Sequence, residues 1–338
     1  MIEAHFGEVP ALSLGVEEEL MILDAETFEP AGAVDVLLSG TKELDLRGSL
    51  KTEMHASVVE LNTGVCSDVS EAVAVLRELR NAANAVARAN GLVVAAAGAH
   101  PTAPLESLPI VQEERYLEML RAIGYAARRQ GVNGLHVHVS VESAERCYER
   151  LEAVLPWLPV VLALSANSPY VEGVDTGMQS IRAGVLSELP RSGAPPVFGS
   201  YGAWEAWVER LGALGVLADY TRIWWDVRPH PRLGTLELRI ADQPTSLART
   251  ELVVRVLRDL VEHAPAGEVS RGDYAQNRWA AARFGLDARL IAADGSGVAS
   301  ARELARRLLG AEPPEPEASA QREAAPAVAA DLVARTLP

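Results

Sequence analysis

Three separated segments of this sequence alternate polar and apolar residues with a period of two. They are LSLGVEEELMIL near the N-terminus, GVNGLHVHVSV in the middle and GTLELRIAD further on. Successive side chains of a β-strand point to opposite faces of its sheet, so each segment predicts a strand with one packed face and one polar face. The chain is therefore expected to gather acidic and histidine side chains on one face of a sheet.

The first segment carries three consecutive glutamates, and strand parity separates them. Leu14 and Val16 share a parity with Glu18, whereas Glu17 and Glu19 fall on the opposite face, about 7 Å apart. Carboxylates this close repel one another unless a cation lies between them. Glu17 and Glu19 are therefore candidate metal ligands; the alternative is an exposed strand with a run of glutamates.

The other two segments repeat this spacing with different residues. His136 and His138 share one face, and Ser140 lies on it too; they are either metal ligands or hydrogen-bonded core histidines. Glu237 and Arg239 share a face of the third segment, where a plain surface ion pair is the alternative. If the three polar faces coincide, three unrelated structural explanations for the same spacing become a poor account of the pattern.

Two further pairs of polar residues are candidates for the same surface. Glu53 and Glu60 are seven residues apart, so an unbroken strand would point them to opposite faces, and a bend must intervene if both reach one site. Asp226 and Arg228 share a face of the strand before TLELR. Carboxylate oxygens favour Mg²⁺ or Mn²⁺ over Zn²⁺, and Mg²⁺ in such sites bridges carboxylates to nucleotide phosphates. The combination indicates phosphoryl transfer.

Charge and composition exclude several classes of protein. The 338 residues include 46 acidic and 31 basic ones, a formal net charge of −15, and no Lys/Arg stripe, so a nucleic-acid partner is not expected. No stretch of about 18 apolar residues and no signal-like N-terminus is present, which predicts no membrane partner and a cytoplasmic location. Cys66 and Cys147 are too few for a disulfide framework.

Periodicity and capping residues predict the main helices. Asp68, followed by Glu71, forms a capping-box-like start for a helix that ends near Asn90. Further helices are predicted over residues 113–130, 144–166 and 247–263, with Pro156 and Pro159 expected to kink or divide the second of these. A Gly- and Pro-rich loop is predicted over residues 187–202, and the Ala/Pro/Glu-rich residues 311–338 are expected to be a mobile linker or a loosely docked helix.

The order and spacing of five motifs resemble the glutamate–cysteine ligase type 2 family, whose carboxylate–amine ligases are distantly related to glutamine synthetase. The motifs are GVEEE at 15–19, the pair Glu53 and Glu60, NGLHVHVS at 133–140, WWDVRP at 224–229 and TLELRIAD at 235–242. The resemblance implies an α+β fold: a glutamine-synthetase-like, curved, mostly antiparallel sheet with helices on its convex side. It implies one catalytic domain over residues 1–310, followed by the 311–338 tail.

The resemblance also implies roles for individual residues. The implied metal ligands are Glu17, Glu19, Glu53, Glu60, His136 and Glu237. The implied nucleotide-binding residues are His138, Ser140 and Arg239, and the implied catalytic residues, which contact phosphate or substrate carboxylate, are Arg182, Arg228 and Arg239. ATP and Mg²⁺, with Mn²⁺ as a substitute, are the implied cofactors, and a homodimer is the implied assembly.

The expected reaction is the ATP-dependent joining of glutamate, or a similar carboxylate, to an amine such as cysteine. It would proceed through an acyl phosphate. Two other hypotheses remain open from the sequence: a metal-dependent amide hydrolase, suggested by the His136 and His138 pair, and a catalytically silent nucleotide or metal binder. The amine acceptor rests on the family resemblance alone.

Overall fold

The computed structural model describes residues 2–293, 297–325 and 327–337. Its strands, in chain order, are β1 (Leu14–Asp24), β2 (Ser49–Thr52), β3 (Val58–Asn62), β4 (Leu92–Ala95), β5 (Gly134–Ser140), β6 (Tyr170–Val171), β7 (Val174–Asp175), β8 (Ser192–Gly193), β9 (Trp224–Trp225), β10 (Val227–His230), β11 (Thr235–Asp242), β12 (Arg289–Ile291) and β13 (Val298–Ser300). Its α-helices are α1 (Val34–Thr41), α2 (Val69–Ala89), α3 (Glu114–Ile123), α4 (Tyr125–Arg128), α5 (Ala144–Val154), α6 (Leu158–Ser165), α7 (Ile181–Leu186), α8 (Tyr201–Ala213), α9 (Leu247–His263), α10 (Arg271–Phe284), α11 (Ala301–Leu309), α12 (Glu317–Glu323) and α13 (Val328–Thr336).

A seven-stranded sheet organises the molecule, and all of its strand pairs are antiparallel. The order is β10-β11-β5-β1-β3-β2, and β4 also pairs with β1. The three segments that alternate in the sequence form β1, β5 and β11, which are adjacent in the sheet. Their polar faces therefore coincide, as the shared spacing predicted.

One face of the sheet is apolar and builds the main core. Leu20, Val137 and Leu238 are fully buried there, and helices α2, α5, α6 and α9 pack against these strands. Burying side chains of this size stabilises the fold by about 2 kcal/mol each. The helices on this face leave the opposite face of the sheet free for charged side chains, and the expected α+β fold is confirmed.

The predicted helices form, with two interruptions. Asp68 caps α2 by accepting a hydrogen bond from the Glu71 amide, as expected. The segment 113–130 divides into α3 and α4 at Gly124, whose φ of +73° a helix cannot contain. The segment 144–166 divides into α5 and α6 around a 3₁₀ turn at residues 155–157, where Pro156 lacks the amide hydrogen that a continuous helix needs.

The C-terminal segment forms two helices that dock on the rest of the chain. Glu317 of α12 accepts hydrogen bonds from the amides of Thr245 and Ser246, and Thr336 of α13 accepts one from the Ala96 amide. Glu317 and Thr336 are both buried. The segment is thus held more firmly than its composition suggested, while the division of the chain at residue 310 stays a prediction.

Within the described ranges, none of the helices combines the length and the apolar composition that crossing a bilayer requires. Cys66 and Cys147 are both buried free thiols, in line with the expectation that they form no disulfide.

Candidate active site

The polar face of the sheet brings most of the predicted site residues together. Glu17 and Glu19 project from β1 onto this face, and the register places Glu17 opposite His136 of β5. Glu237 of β11 lies opposite His138. Glu18 points to the other face, where it is fully buried in an ion pair. Parity therefore separated the three consecutive glutamates correctly.

One group of possible ligand atoms consists of Glu17, His138 and Glu237. One atom from each lies within 4.8 Å of the other two. His138 Nε2 lies 3.5 Å from Glu17 Oε1 and 4.0 Å from Glu237 Oε1, and it has no hydrogen-bond partner among the described residues. The other ring nitrogen, Nδ1, is 2.9 Å from Thr235 Oγ1. This partner fixes the ring so that its unpaired nitrogen faces the two carboxylates.

A second group consists of Glu19, Glu53 and Glu60, again with ligand atoms within 4.8 Å of one another. The bend that the sequence required is present, because β2 ends at Thr52 and β3 begins only at Val58. Glu53 leaves the strand before the turn, so strand parity no longer fixes its direction. Glu60 remains within β3 and lies opposite Glu19.

In the second group, burial and neighbouring carboxylates disfavour the charged form of each side chain. Burial raises the pKa of Glu19 to about 8, and the nearby Glu53 adds to the rise. Burial raises the pKa of Glu60 well above its ordinary value, helped by the charges of Glu17 and Glu53, and burial also raises the pKa of Glu53. A divalent cation between these oxygens would offset the effects of burial and repulsion and so favour the ionised carboxylates.

The first group has the opposite electrostatic character. Burial alone would raise the pKa of Glu17, but a hydrogen bond with His136 and the nearby His138 ring hold it well below its ordinary value. Burial lowers the pKa of His136 to about 4, with a contribution from the nearby Arg239. Against the effect of burial, the Arg228 and Arg239 charges hold the pKa of Glu237 well below its ordinary value. Glu17 and Glu237 are therefore ionised at neutral pH.

Two arginines converge on Glu237. Arg228 Nε donates to Glu237 Oε2 over 2.5 Å, and Arg239 Nη1 donates to Oε1. Arg228 also donates to the carbonyl oxygens of Thr221 and Ile223, so most of its donors are used within the protein. Arg239 is the more accessible of the two, with 19% of its side chain exposed against 7% for Arg228.

The third predicted arginine, Arg182, reaches the same face from α7. Its two terminal nitrogens donate to the carbonyl oxygens of Ile240 and Arg239, while its Nε has no partner among the described residues. The guanidinium lies directly over Gly134, where an added Cβ would be 2.1 Å from Nη2. Gly134 also donates its amide hydrogen to Glu19 Oε2 over 2.5 Å. Gly134, the first residue of β5, therefore makes room for an arginine.

Two cavities flank the row of carboxylates, and neighbouring glutamates of β1 line one each. The first, of about 260 Å³, has Glu17 in its wall, and the second, of about 80 Å³, has Glu19. The first cavity is also lined by Val9, Ser13, Lys51, Asn62, Val65, His138, Ser140, Leu233 and Thr235. The second is also lined by Glu53, Met54, Met119, Gln130, His136, Arg182, Leu186, Trp224 and Arg239.

The remaining predicted residues lie at the edges of this face. His136 Nδ1 is 3.3 Å from Glu17 Oε2 and 3.4 Å from Arg239 Nη1, beside the two ligand groups rather than within either. Ser140 lines the first cavity, and its hydroxyl donates to the Pro10 carbonyl. Asp226 lines the second cavity, paired with Arg278.

Sequence reasoning missed several polar residues of the first cavity, among them Lys51 and Asn62. Lys51 of β2 lines it, with its Nζ 3.2 Å from Asn62 Oδ1 of the neighbouring strand. The available signal was the position of Lys51 two residues before Glu53, which suits the same face of a strand. Lys51 is the one lysine in the wall of this cavity.

The donor set suits Mg²⁺ or Mn²⁺. Five of the six ligand residues in the two groups are glutamates, whose hard oxygens these ions prefer, and the sixth is the histidine with the unpaired buried nitrogen. The raised pKa values of Glu19 and Glu60 are what a face built for cations would show in their absence. The residues present therefore fit the ions that the family resemblance implied.

Sequence comparisons identify similar proteins of known family. A relative in Rubrobacter xylanophilus, which carries the provisional name glutamate–cysteine ligase 2-1, is 40% identical over 300 residues, covering 87% of this chain and 80% of that protein. A provisionally named glutamate–cysteine ligase 2 in Solibacter usitatus is 34% identical over 308 residues, covering 89% of this chain and 80% of that protein.

Solved structures share the fold at much lower identity. The glutamate–cysteine ligase of Francisella tularensis, in complex with AMP, superposes with a TM-score of 0.65 at 15% identity, over 97% of this chain and 82% of that one. A bifunctional glutathione synthetase of Pasteurella multocida superposes with a TM-score of 0.61 at 17% identity, over 97% of this chain and 49% of that one. The expected fold class is thereby confirmed.

The family itself is identified by sequence. The model of glutamate–cysteine ligase family 2 matches residues 13–333, which include every predicted site residue and most of the C-terminal segment. Together with relatives of up to 40% identity, this match shows that the chain belongs to glutamate–cysteine ligase family 2, a family of carboxylate–amine ligases.

Proposed function

We propose that this protein uses ATP and Mg²⁺ to join the γ-carboxylate of glutamate, or a similar acid, to an amine such as cysteine. The observation that carries the proposal is the pair of cavities on either side of one carboxylate row. A ligase must bring a nucleotide and an acid to opposite sides of the phosphoryl group that passes between them. Glu17 and Glu19 would lie between the nucleotide and the acid, where the phosphoryl group is transferred.

The first cavity suits ATP. Val65 and Leu233 line it and are 70% and 51% exposed, and they would cover the flat faces of a base. Lys51 and His138 would lie near the phosphates, with Ser140 beside them. The AMP in the Francisella tularensis ligase supports a nucleotide on this fold.

The second cavity suits the acid and the amine. Arg182 has a free Nε–H, and it lines this cavity with Arg239, so both guanidinium groups would bind carboxylate or phosphate oxygens. Met119, Leu186 and Trp224 supply apolar surface in the lining of this cavity. Contact with this apolar surface would determine which amine acceptor binds.

The two ligand groups would hold the divalent ions. Glu17, His138 and Glu237 would bind one, and Glu19, Glu53 and Glu60 another. When bound, such ions neutralise phosphate charge and polarise phosphoryl oxygens. His136, which contacts Glu17, would orient the first group from beside it.

The proposed reaction has two steps. The substrate carboxylate oxygen forms a bond to the γ-phosphorus as the bond to ADP breaks, giving an acyl phosphate, and Arg239 stabilises charge on the transferred group. The amine nitrogen then forms a bond to the acyl carbon as phosphate leaves, and the amine proton is released. Arg228 would act through Glu237, because its donors hold that carboxylate in place.

Product analysis tests the proposal directly. Purified protein is incubated with ATP, Mg²⁺, glutamate and an amine library, and ADP, phosphate and the amide are measured. Amine-dependent ADP release and hydroxylamine trapping of an acyl phosphate are expected. An amide hydrolase would instead turn over without nucleotide, and a silent binder would bind ATP with no product under any acceptor.

A single substitution ties this activity to the site. Glu237→Gln is expected to lower kcat/KM by about 100-fold or more, because Arg228 and Arg239 lose the charge they pair with and the first ligand group loses an anion. Glu149→Gln, at an exposed ion pair with Arg146, is the control and should stay within about twofold. Equal activity of the two variants would contradict the site.

The assembly and the cellular location stay predictions. A homodimer and a cytoplasmic location are proposed on the basis of the family resemblance and the composition. Analytical ultracentrifugation of the full chain measures the assembly.

A further inference from the structure

Strand β1 changes partners on one of its edges beside the active site. On this edge Leu14–Glu18 pairs with β5, and Met21–Asp24 pairs with β4. Backbone N–H groups of a strand point alternately to its two edges, and the Glu19 N–H points to this one. Glu19 thus lies at the seam between the two partner strands, where the regular ladder supplies no carbonyl to its amide.

A side chain supplies the hydrogen-bond acceptor that the ladder lacks at Glu19. Gln243, directly after β11, accepts the hydrogen bond of the Glu19 amide with its Oε1 over 3.1 Å. Its own backbone amide donates to the Asn133 carbonyl, next to the glycine that holds the Glu19 carboxylate. Gln243 is fully buried. It therefore fixes the backbone of a proposed metal ligand without facing the cavity.

The carboxamide of Gln243 is held in turn from the helical face of the sheet. Its Nε2 donates to Glu18 Oε1 over 3.0 Å, and Glu18 forms a bidentate ion pair with Arg80, both distances being 2.7 Å. Glu18 and Arg80 are fully buried, so the geometry of the carboxamide is tightly fixed. The two sides of β1 are linked through one glutamine.

The C-terminal segment completes this connection. Arg80 Nη1 donates to the carbonyl oxygens of Thr336 and Thr245 over 2.9 and 2.7 Å. Glu317 accepts the amide hydrogens of Thr245 and Ser246, two and three residues after Gln243. Helices α12 and α13 therefore hold the short segment that presents Gln243 to Glu19.

We propose that Gln243 is a positioning residue for the active-site carboxylate of Glu19, and that the C-terminal helices act on the site through it. The proposal rests on the proposed function, in which Glu19 binds a divalent ion. Outer partners of metal ligands change metal affinity by about 10–100-fold when they are removed. Gln243 would act in this way through the backbone of its ligand.

The test uses Gln243→Met, which keeps the length of the side chain and removes both the acceptor and the donor. Asn277→Leu is the control, since Asn277 is also buried and its carboxamide is hydrogen-bonded to the backbone of Ile291, away from Gln243 and Glu19. Mn²⁺ affinity of the full chain without nucleotide is measured by the loss of the free-ion electron paramagnetic resonance signal. Thermal unfolding is measured on the same samples.

Both variants are expected to lose thermal stability, but only Gln243→Met should weaken Mn²⁺ binding, by about tenfold or more. A change of less than twofold in a folded Gln243→Met protein would overturn the proposal. If that variant does not fold, Glu317→Gln serves instead, with Mn²⁺ binding weakened about threefold expected and unchanged binding overturning the proposal. Failure of the wild-type protein to bind Mn²⁺ would overturn the proposed function itself.

Discussion

Individual carboxylates on one face of this sheet differ in charge because their neighbours differ. Glu17 and Glu237 face histidines and arginines, which hold their pKa values low, whereas Glu19 and Glu60 face other carboxylates and have raised values. The face therefore contains one group whose carboxylates are ionised and one group in which burial and neighbouring carboxylates disfavour ionisation. Ion binding to the second group should release protons.

The effect of Glu19→Gln on stability, relative to wild type, should change sign when a divalent metal ion is added. The pKa of Glu19 is raised to about 8 in the folded protein, so its contribution to stability is full below pH 4.5 and is lost as pH rises to about 8. Without metal, the free energy of unfolding of the variant should gain on wild type by about 3–4 kcal/mol between pH 5 and 8. Saturating Mg²⁺ should favour wild type instead.

Urea titrations at several pH values measure this difference. Glu71→Gln is the control, because hydrogen bonds from Ser67 lower the pKa of Glu71 and its contribution is lost only as pH falls below 4.5. Its difference from wild type should be constant over the same range. A Glu19→Gln difference that is equally constant would contradict the raised pKa.

Among the elements, β5 begins with a small residue that makes room for an arginine, and β11 pairs irregularly with β5. Gly134 begins β5 directly beneath the Arg182 guanidinium, and its amide holds Glu19. The register of β11 against β5 shifts between Leu238 and Ala241. These irregularities lie where arginine side chains enter the sheet face, as bulges beside active sites commonly do.

Gly134→Ala should therefore displace Arg182. The added Cβ would lie 2.1 Å from a buried guanidinium that has backbone partners, and overpacking of this kind costs about 1–3 kcal/mol. Thermal unfolding should show a fall of several degrees, together with a raised KM for the acid substrate. Gly202→Ala in helix α8, where a Cβ would meet nothing within 4 Å, should be neutral or stabilising. Equal melting temperatures would argue against the tight fit.

In the whole molecule, the C-terminal helices take part in a buried polar network with the rest of the chain. Asn167 donates to the Gln243 carbonyl and to Thr245 Oγ1, and Gln321 donates to Asn167. Every bond in this set joins segments that are far apart in sequence. Loss of one segment would leave several polar groups buried without partners.

A chain ending at residue 310 tests both this network and the predicted domain boundary. It should lose roughly 3 kcal/mol or more, because Arg80, Ala96 and Thr245 each lose a hydrogen-bond partner in the interior. Guanidinium unfolding of the truncated and full chains measures the difference. An unchanged midpoint would instead support an independent domain over residues 1–310.

Local pattern was sufficient for much of the fold. Period-two alternation located β1, β5 and β11 and assigned Glu17, Glu19 and Glu237 to one face, because side-chain direction in a strand depends only on parity. Capping chemistry located the start of α2 at Asp68 for the same local reason. Gly124, by contrast, divided a helix whose periodicity looked continuous.

Alternation in the sequence was enough to assign which side chains share a face. The motifs were enough to assign the family and the candidate residues. Only the tertiary structure decided that Glu53 turns toward Glu60, that His138 rather than His136 joins a ligand group, and that Gln243 reaches Glu19. Parity ends where a strand ends, so side chains from turns and from distant segments are placed by strand order and packing. Contacts over more than 200 residues, such as that between Gln243 and Glu19, leave no periodic signal in the chain.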